Sequence, residues 1–284
     1  LAWVLWTVVF IIAQVAFLQT FKIATKNTKS TGNLTVAVEL ISAFSVLLFI
    51  PFFPWLLPHG WLTWVLLLIY FALYAINDRL DATTRKNLDI SVDTMLMQIY
   101  RIFFLFAGIM FLSRSFVFMK LLGAIIIVVA NFFVLFEKGK FQFNKYVWLK
   151  VLSSIVFAAA FTLENYNSVE FNLAFFVFLS FFVPAFFLLC ARQATPRGIV
   201  QEMQRKDGWV VLICGLCQMV MTFAILRAYQ FREHFIEIAA ISSVYVIINV
   251  FVAMILLRER SGLIRKTIAA AVIVASIVLI ATSW

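Results

Sequence analysis

Residues 171–190, FNLAFFVFLSFFVPAFFLLC, contain no charged side chain and no period-two alternation. At 1.5 Å of rise per residue, a helix of this length crosses the hydrocarbon core of a bilayer, about 30 Å thick. The continuous apolar run predicts a helix, because barrel strands alternate lipid-facing with lumen-facing side chains. The same pattern recurs along the chain. The runs are Leu1–Thr20, Leu34–Phe53, Trp61–Asn77, Ser91–Leu112, Val117–Phe136, Tyr146–Leu163, Phe171–Cys190, Gly208–Arg227, Phe235–Leu257 and Leu263–Ala281. Ten runs in 284 residues, 64% of them hydrophobic with a mean hydropathy of +1.04, predict an all-α polytopic membrane protein.

The net charge of +10 would point to nucleic acid in a soluble protein, but its distribution along the chain points elsewhere. Of 23 Lys and Arg residues, 18 fall in alternate connections, among them Lys22, Lys26, Arg85, Lys86, Lys150, Arg205 and Lys266. The positive-inside rule makes those connections cytoplasmic and places both termini outside. The basic residues therefore read as topology and contact with anionic membrane lipids, and no nucleic acid partner is expected. Leu1–Thr20 lacks a basic leader and a small-residue cleavage motif, so it reads as a span and not as a signal peptide.

The second half repeats the first at an offset of 146 residues. Arg114, Ser115, Lys120, Ala124, Ile127 and Val128 reappear as Arg260, Ser261, Lys266, Ala270, Ile273 and Val274. Duplicating an odd number of spans flips the copy, which predicts ten transmembrane helices in two inverted five-helix repeats. The expected units are residues 1–137 and 146–284, joined by a linker at 138–145. Two inverted halves have outward-facing and inward-facing arrangements of similar packing, which is what alternating access requires.

The chain resembles the EamA-like ten-helix members of the drug/metabolite transporter superfamily. The resemblance covers essentially the whole chain, and its clearest local sign is Leu257-Arg258-Glu259-Arg260-Ser261-Gly262 ahead of the apolar run Ile268–Ile280. Glu259 and Arg260 match the family's turn, whereas Arg258 stands where members often have glycine and Ser113 replaces the acid in the first half. The resemblance implies transport of a small organic metabolite and cytosolic termini, opposite to the orientation that the charges give.

Polar groups at membrane depth are the candidate site. Arg101 falls near the middle of the fourth run, where an ionised side chain is costly to bury. It has two readings, binding an anionic substrate group or pairing with Glu39, and Gln98 lies one turn earlier on the same face. Glu39, one or two turns inside the second run, is a candidate coupling residue for protons or a structural counter-ion. Ser242, Tyr245 and Asn249 form a polar stripe on the ninth run, explained by a substrate pathway or by interhelical hydrogen bonds. Gln14 and Gln218 lie at similar central depth. Tyr74 is read either as a cation-binding aromatic or as an interfacial anchor. Pro184 in the seventh run predicts a kink, gating or static.

Asp78, Asp81, Asp89 and Asp93 fall in the longest connection of the first half and read as a solvated face, as do Glu164 and Glu170 beside a short link. Cys214 and Cys217 form a CxxC inside an apolar run without a second Cys or His pair, so core packing is expected and no metal. No nucleophile elbow, phosphate loop or HExxH pattern is present, so enzyme chemistry and a cofactor are not expected. The expectation is a secondary transporter, possible proton coupling included, in a bacterial or archaeal cell membrane. A flippase for a lipid-linked metabolite, or a non-transporting structural protein, is the alternative; the oligomeric state is left open.

Overall fold

The computed structural model describes residues 2–58, 60–100, 144–231, 241–258 and 262–282, with short pieces at 103, 122–123, 125–127, 129–130, 133, 136–137, 140–141, 234 and 238. Its helices are α1 (Ala2–Asn27), α2 (Thr31–Val46), α3 (Trp61–Asn87), α4 (Ile90–Met97), α5 (Lys145–Asn167), α6 (Leu173–Cys190), α7 (Pro196–Gln204), α8 (Gly208–Tyr229), α9 (Tyr245–Leu256) and α10 (Leu263–Thr282). Phe136–Glu137 and Lys140–Phe141 pair as a two-residue antiparallel hairpin across the expected linker. Among the described residues six helical segments are long and apolar enough to span a membrane: α1, α2 with its 3-10 extension to Phe52, α3, α5, α6 and α8.

Several helix starts are set by short polar side chains. Asn144 accepts from Tyr146 N and Val147 N at α5, Asn172 from Phe175 N at α6, and Thr195 from Gly198 N at α7, where Pro196 supplies the first turn. Each oxygen satisfies amide donors that a helix start leaves without an intrahelical partner. Pro51 lies in the 3-10 stretch Leu47–Phe52 that ends the second run. Pro184 is buried inside α6, which continues as one helix from Leu173 to Cys190.

α1 packs along α8, and α3 along α5; α2 packs on α6 and α8, and α4 touches both α5 and α9. Close approach of α2 and α8 depends on Gly215, where an added Cβ would lie 2.6 Å from Ile41 Cβ and 3.0 Å from the Val38 carbonyl. Ser42 uses that proximity, donating to the Gly215 carbonyl at 2.8 Å.

Two segments differ from the sequence expectation in ways that shape the interior. α3 continues ten residues past Asn77 to Asn87, so Asp78 and Asp81 stand on a helix and not in a solvated connection. Asp81 is 6% and Asp93 1% exposed, which corrects the surface reading of both. Helices four and nine are also interrupted: a turn at Gln98–Ile99 follows α4, and one at Ser243–Val244 precedes α9.

One end of the bundle gathers the basic connections. Lys22 Nζ donates to the Arg85 and Leu88 carbonyls, capping the end of α3. Lys86 donates to Thr28 O at 3.0 Å, Arg205 to Ala24 O at 3.1 Å, and Lys266 pairs with Asp89 at 2.8 Å. Lys22, Arg85, Lys150 and Lys266 are each under a tenth exposed, so part of the charge counted toward lipid contact is spent inside the protein.

Candidate functional site

A cavity of about 140 Å³ lies between α1, α2, α3, α4, α5 and α8. This is room for several waters or a small organic molecule. Its wall combines carboxylates and aromatic rings, an arrangement unlike the apolar interior expected of a bundle held only by packing.

The stripe that builds it runs along α3. Tyr70, Tyr74, Asn77, Asp81 and Arg85 follow at helical steps of three or four residues and so share one face. At one end, Tyr70 and Tyr74 donate to the two Glu164 carboxylate oxygens of α5, each at 3.3 Å. At the other end, Lys150 reaches Asp81 at 2.5 Å and Asp93 at 2.9 Å, while Arg85 lies 2.5 Å from Asp81 and 3.5 Å from Asp93. Ser153 adds a bond to Asp81 at 3.1 Å, and Thr84 one to Asp93 at 2.9 Å. Two cations and two anions thus form a closed, buried box. Such a box is costly to desolvate but costlier to break, since losing one member strands a buried charge.

Glu39 is different. It is 1% exposed on the cavity wall, and among the described residues no amide, hydroxyl or cationic donor reaches its oxygens; the group within hydrogen-bonding reach is the Asp78 carboxyl. Asp78 is a neighbouring carboxylate and Arg79 the nearest compensating charge; Arg79 donates to Thr31 at 3.0 Å. Burial of a carboxylate without donors is unfavourable, so the position asks for a proton or a cation.

The residues singled out from the sequence divide into three groups. Gln14, Glu39, Tyr74, Gln218, Ser242 and Tyr245 line the cavity. Gln98 and Asn249 do not line it and join helices: Gln98 donates to the Tyr245 hydroxyl at 2.8 Å, and Asn249 accepts from Gln19 and donates to Thr94, both at 2.7 Å. Arg101 lies outside the described residues. Gln218 also accepts from Ser42 at 3.2 Å.

Asp78, Asp81, Asp93, Arg85, Lys150 and Glu164 were missed as cavity residues. The signal that finds Asp81 and Arg85 is the stripe itself: Tyr70, Tyr74 and Asn77 lead into an Asp81–Arg85 pair at i, i+4, which continues the helix. Lys150 and Glu164 carry no such signal, because each sits near the end of an apolar run where a solvated charge is the ordinary case.

No family model matches the chain, and no curated protein matches it. Twenty-one solved chains are similar in structure. One of them, a crystal structure described only as that of a protein, superimposes with a TM-score of 0.61 over 95% of this chain and 95% of that one, at 10% identity. The likeness shows the fold alone.

Proposed function

We propose that the chain is a secondary transporter for a small organic metabolite, working by alternating access in a cell membrane of a bacterium or archaeon. In this reading ten spans form two inverted repeats of five, as in the EamA-like transporters the sequence resembles. The observation that carries it is the cavity, walled by α1, α2, α3 and α4 from one half and by α5, α8 and the segment around Ser242 and Tyr245 from the other.

Two relationships support the repeat. The interruptions at Gln98–Ile99 and Ser243–Val244 lie 145 residues apart, close to the sequence register of 146, and residues beside both face the cavity. Interrupted helices at matched positions beside a central site are what inverted-repeat transporters use. At the same offset α1 corresponds to α5 and α3 to α8, so the packing of α1 on α8 is repeated by that of α5 on α3. Glu39 is the group suited to carry a coupling proton, because a buried carboxylate that meets another carboxyl and no donor gains most from taking one up.

The test is counterflow in reconstituted vesicles with a panel of anionic, neutral, zwitterionic and cationic metabolites, repeated with an imposed pH gradient. Saturable exchange of one class, lost in Glu39→Gln, is the expected result. No exchange across the panel overturns the transport reading, and flux indifferent to the pH gradient overturns the coupling role of Glu39. Thiol labelling of single cysteines placed at Lys29 and Trp61 reports which end of α3 faces the interior of the cell.

A further inference from the structure

Charge bookkeeping at the cavity narrows the passenger, taking the transport reading above as its basis. Among the described residues five carboxylates line the wall against two cations. Asp81 and Asp93 are consumed by Lys150 and Arg85 in the closed box. Glu39, Asp78 and Glu164 remain. Asp78 lies within electrostatic range of both of the others, so the three act as one acidic group. Among the described residues Arg79, from outside the cavity wall, offsets Glu39, and Arg85 of the box acts on Asp78 as well as on its two aspartates. Apart from the Asp78 carboxyl, itself a member of the group, nothing among the described residues donates to the oxygens of Glu39.

The opposite requirement, an apolar surface with negative faces, is met next to it. Tyr100 stands edge-on to Phe157 and Phe161 at 5.0 and 5.8 Å between centroids, Phe157 stacks on Phe161 at 5.6 Å, and Tyr74 meets Phe157 at 6.2 Å. These four rings all line the cavity, and Tyr74 also donates to Glu164. Aromatic faces attract a cation and tolerate the methyl or methylene groups around it, whereas they offer a carboxylate or phosphate nothing.

We infer that the passenger is an organic cation, a small alkylammonium whose nitrogen is held by Glu39, Asp78 and Glu164 and whose carbon groups lie against Tyr74, Tyr100, Phe157 and Phe161. The carboxylates supply charge and the rings supply the dry surface. An anion would find no counter-charge at these carboxylates, and a neutral polyol would leave their acidity uncompensated.

The experiment uses the full-length protein, purified for calorimetry and reconstituted for counterflow. Tetramethylammonium and ethanolamine are the cationic probes; acetate, glycerol and glycine are the anionic, neutral and zwitterionic ones. The expected result is saturable binding and exchange of the ammonium compounds alone. Glu39→Gln and Glu164→Gln each weaken binding by tenfold or more, Phe157→Leu weakens tetramethylammonium more than ethanolamine, and Glu170→Gln, away from the cavity, leaves both unchanged. Gel filtration of each variant confirms folding, and Phe157→Leu tests the site without altering its charge. Exchange of acetate, glycerol or glycine without ammonium binding overturns the inference and leaves transport standing. Ammonium binding without exchange of any probe keeps the assigned cation site and overturns transport, so that the ammonium compound is a ligand and not a passenger. Ammonium binding insensitive to Glu39→Gln and Glu164→Gln overturns the assigned site, and no binding or exchange of any probe overturns both readings.

Discussion

Gln98 donates to the Tyr245 hydroxyl at 2.8 Å, tying the interruption after α4 to the one before α9. The bond sits where two helices have given up regular hydrogen bonding, so it substitutes a side-chain link for backbone continuity. Interhelical bonds of this kind contribute about 0.6 kcal/mol on average and up to about 1.7 kcal/mol. Tyr245→Phe and Gln98→Leu are each expected to lower the unfolding midpoint. A double-mutant cycle should return a coupling in that range; strictly additive losses would show that the two residues do not act as a pair.

The box of Arg85, Lys150, Asp81 and Asp93 is the most consequential buried feature for stability. Lys150→Met leaves two buried aspartates on one arginine, and the expected loss is about 3–5 kcal/mol. Asp81→Asn introduced together with Lys150→Met should recover part of it, because one negative charge leaves with the positive one. Thermal unfolding of the purified variants checks both; a double variant less stable than Lys150→Met would contradict the charge-balance account.

Gly215 sets the distance between α2 and α8. Gly215→Ala forces Ile41 or the Val38 carbonyl aside, since the new Cβ would lie 2.6 Å from Ile41 Cβ. Overpacking of this kind costs about 1–3 kcal/mol. Adding Ile41→Ala to the variant should relieve the clash with that side chain, and an unfolding midpoint for Gly215→Ala equal to that of the parent would show that the helices separate freely.

At the basic end of the bundle, Asp207 accepts from the Asn27 amide at 2.7 Å and pairs with Arg205 at 2.8 Å. The Asn27 hydrogen bond, and then Arg205, hold the Asp207 carboxyl below its usual range. A depressed carboxylate stabilises the fold above its unfolded value, about 3.9, and loses that contribution as pH falls through the folded value. Wild type should therefore unfold later than Asn27→Ala at neutral pH, and the gap should close in acid below about pH 4. A gap that widens in acid would reverse the sign of the linkage.

The run Phe171–Cys190 and the other five runs that form spanning-length helices among the described residues are legible in the chain because length and apolarity are local properties. The 146-residue register that relates Lys120 and its neighbours to Lys266 and its neighbours is a property of the sequence, and it supports the proposed repeat. The roles of polar residues are not legible there. Gln98, Gln218 and Asn249 look alike as lone amides in apolar runs, yet Gln218 faces the cavity while the other two hold helices together. Periodicity reports which residues share a face, but not what that face meets.

Asp78, Asp81, Asp93 and Lys150 make the same point for charge. By sequence alone they are charged residues near helix ends, where water is the usual partner. Folding brings α3, α4 and α5 together and removes that water: Asp81, Asp93 and Lys150 join Arg85 in a buried box, and Asp78 faces the acidic cavity beside it. Composition and spacing determined that the chain is built of apolar helices and carries a duplicated pattern. The tertiary structure alone decided which carboxylates are neutralised and which, like Glu39, are left for something else to satisfy, because charge pairing depends on distances between helices that no local run encodes.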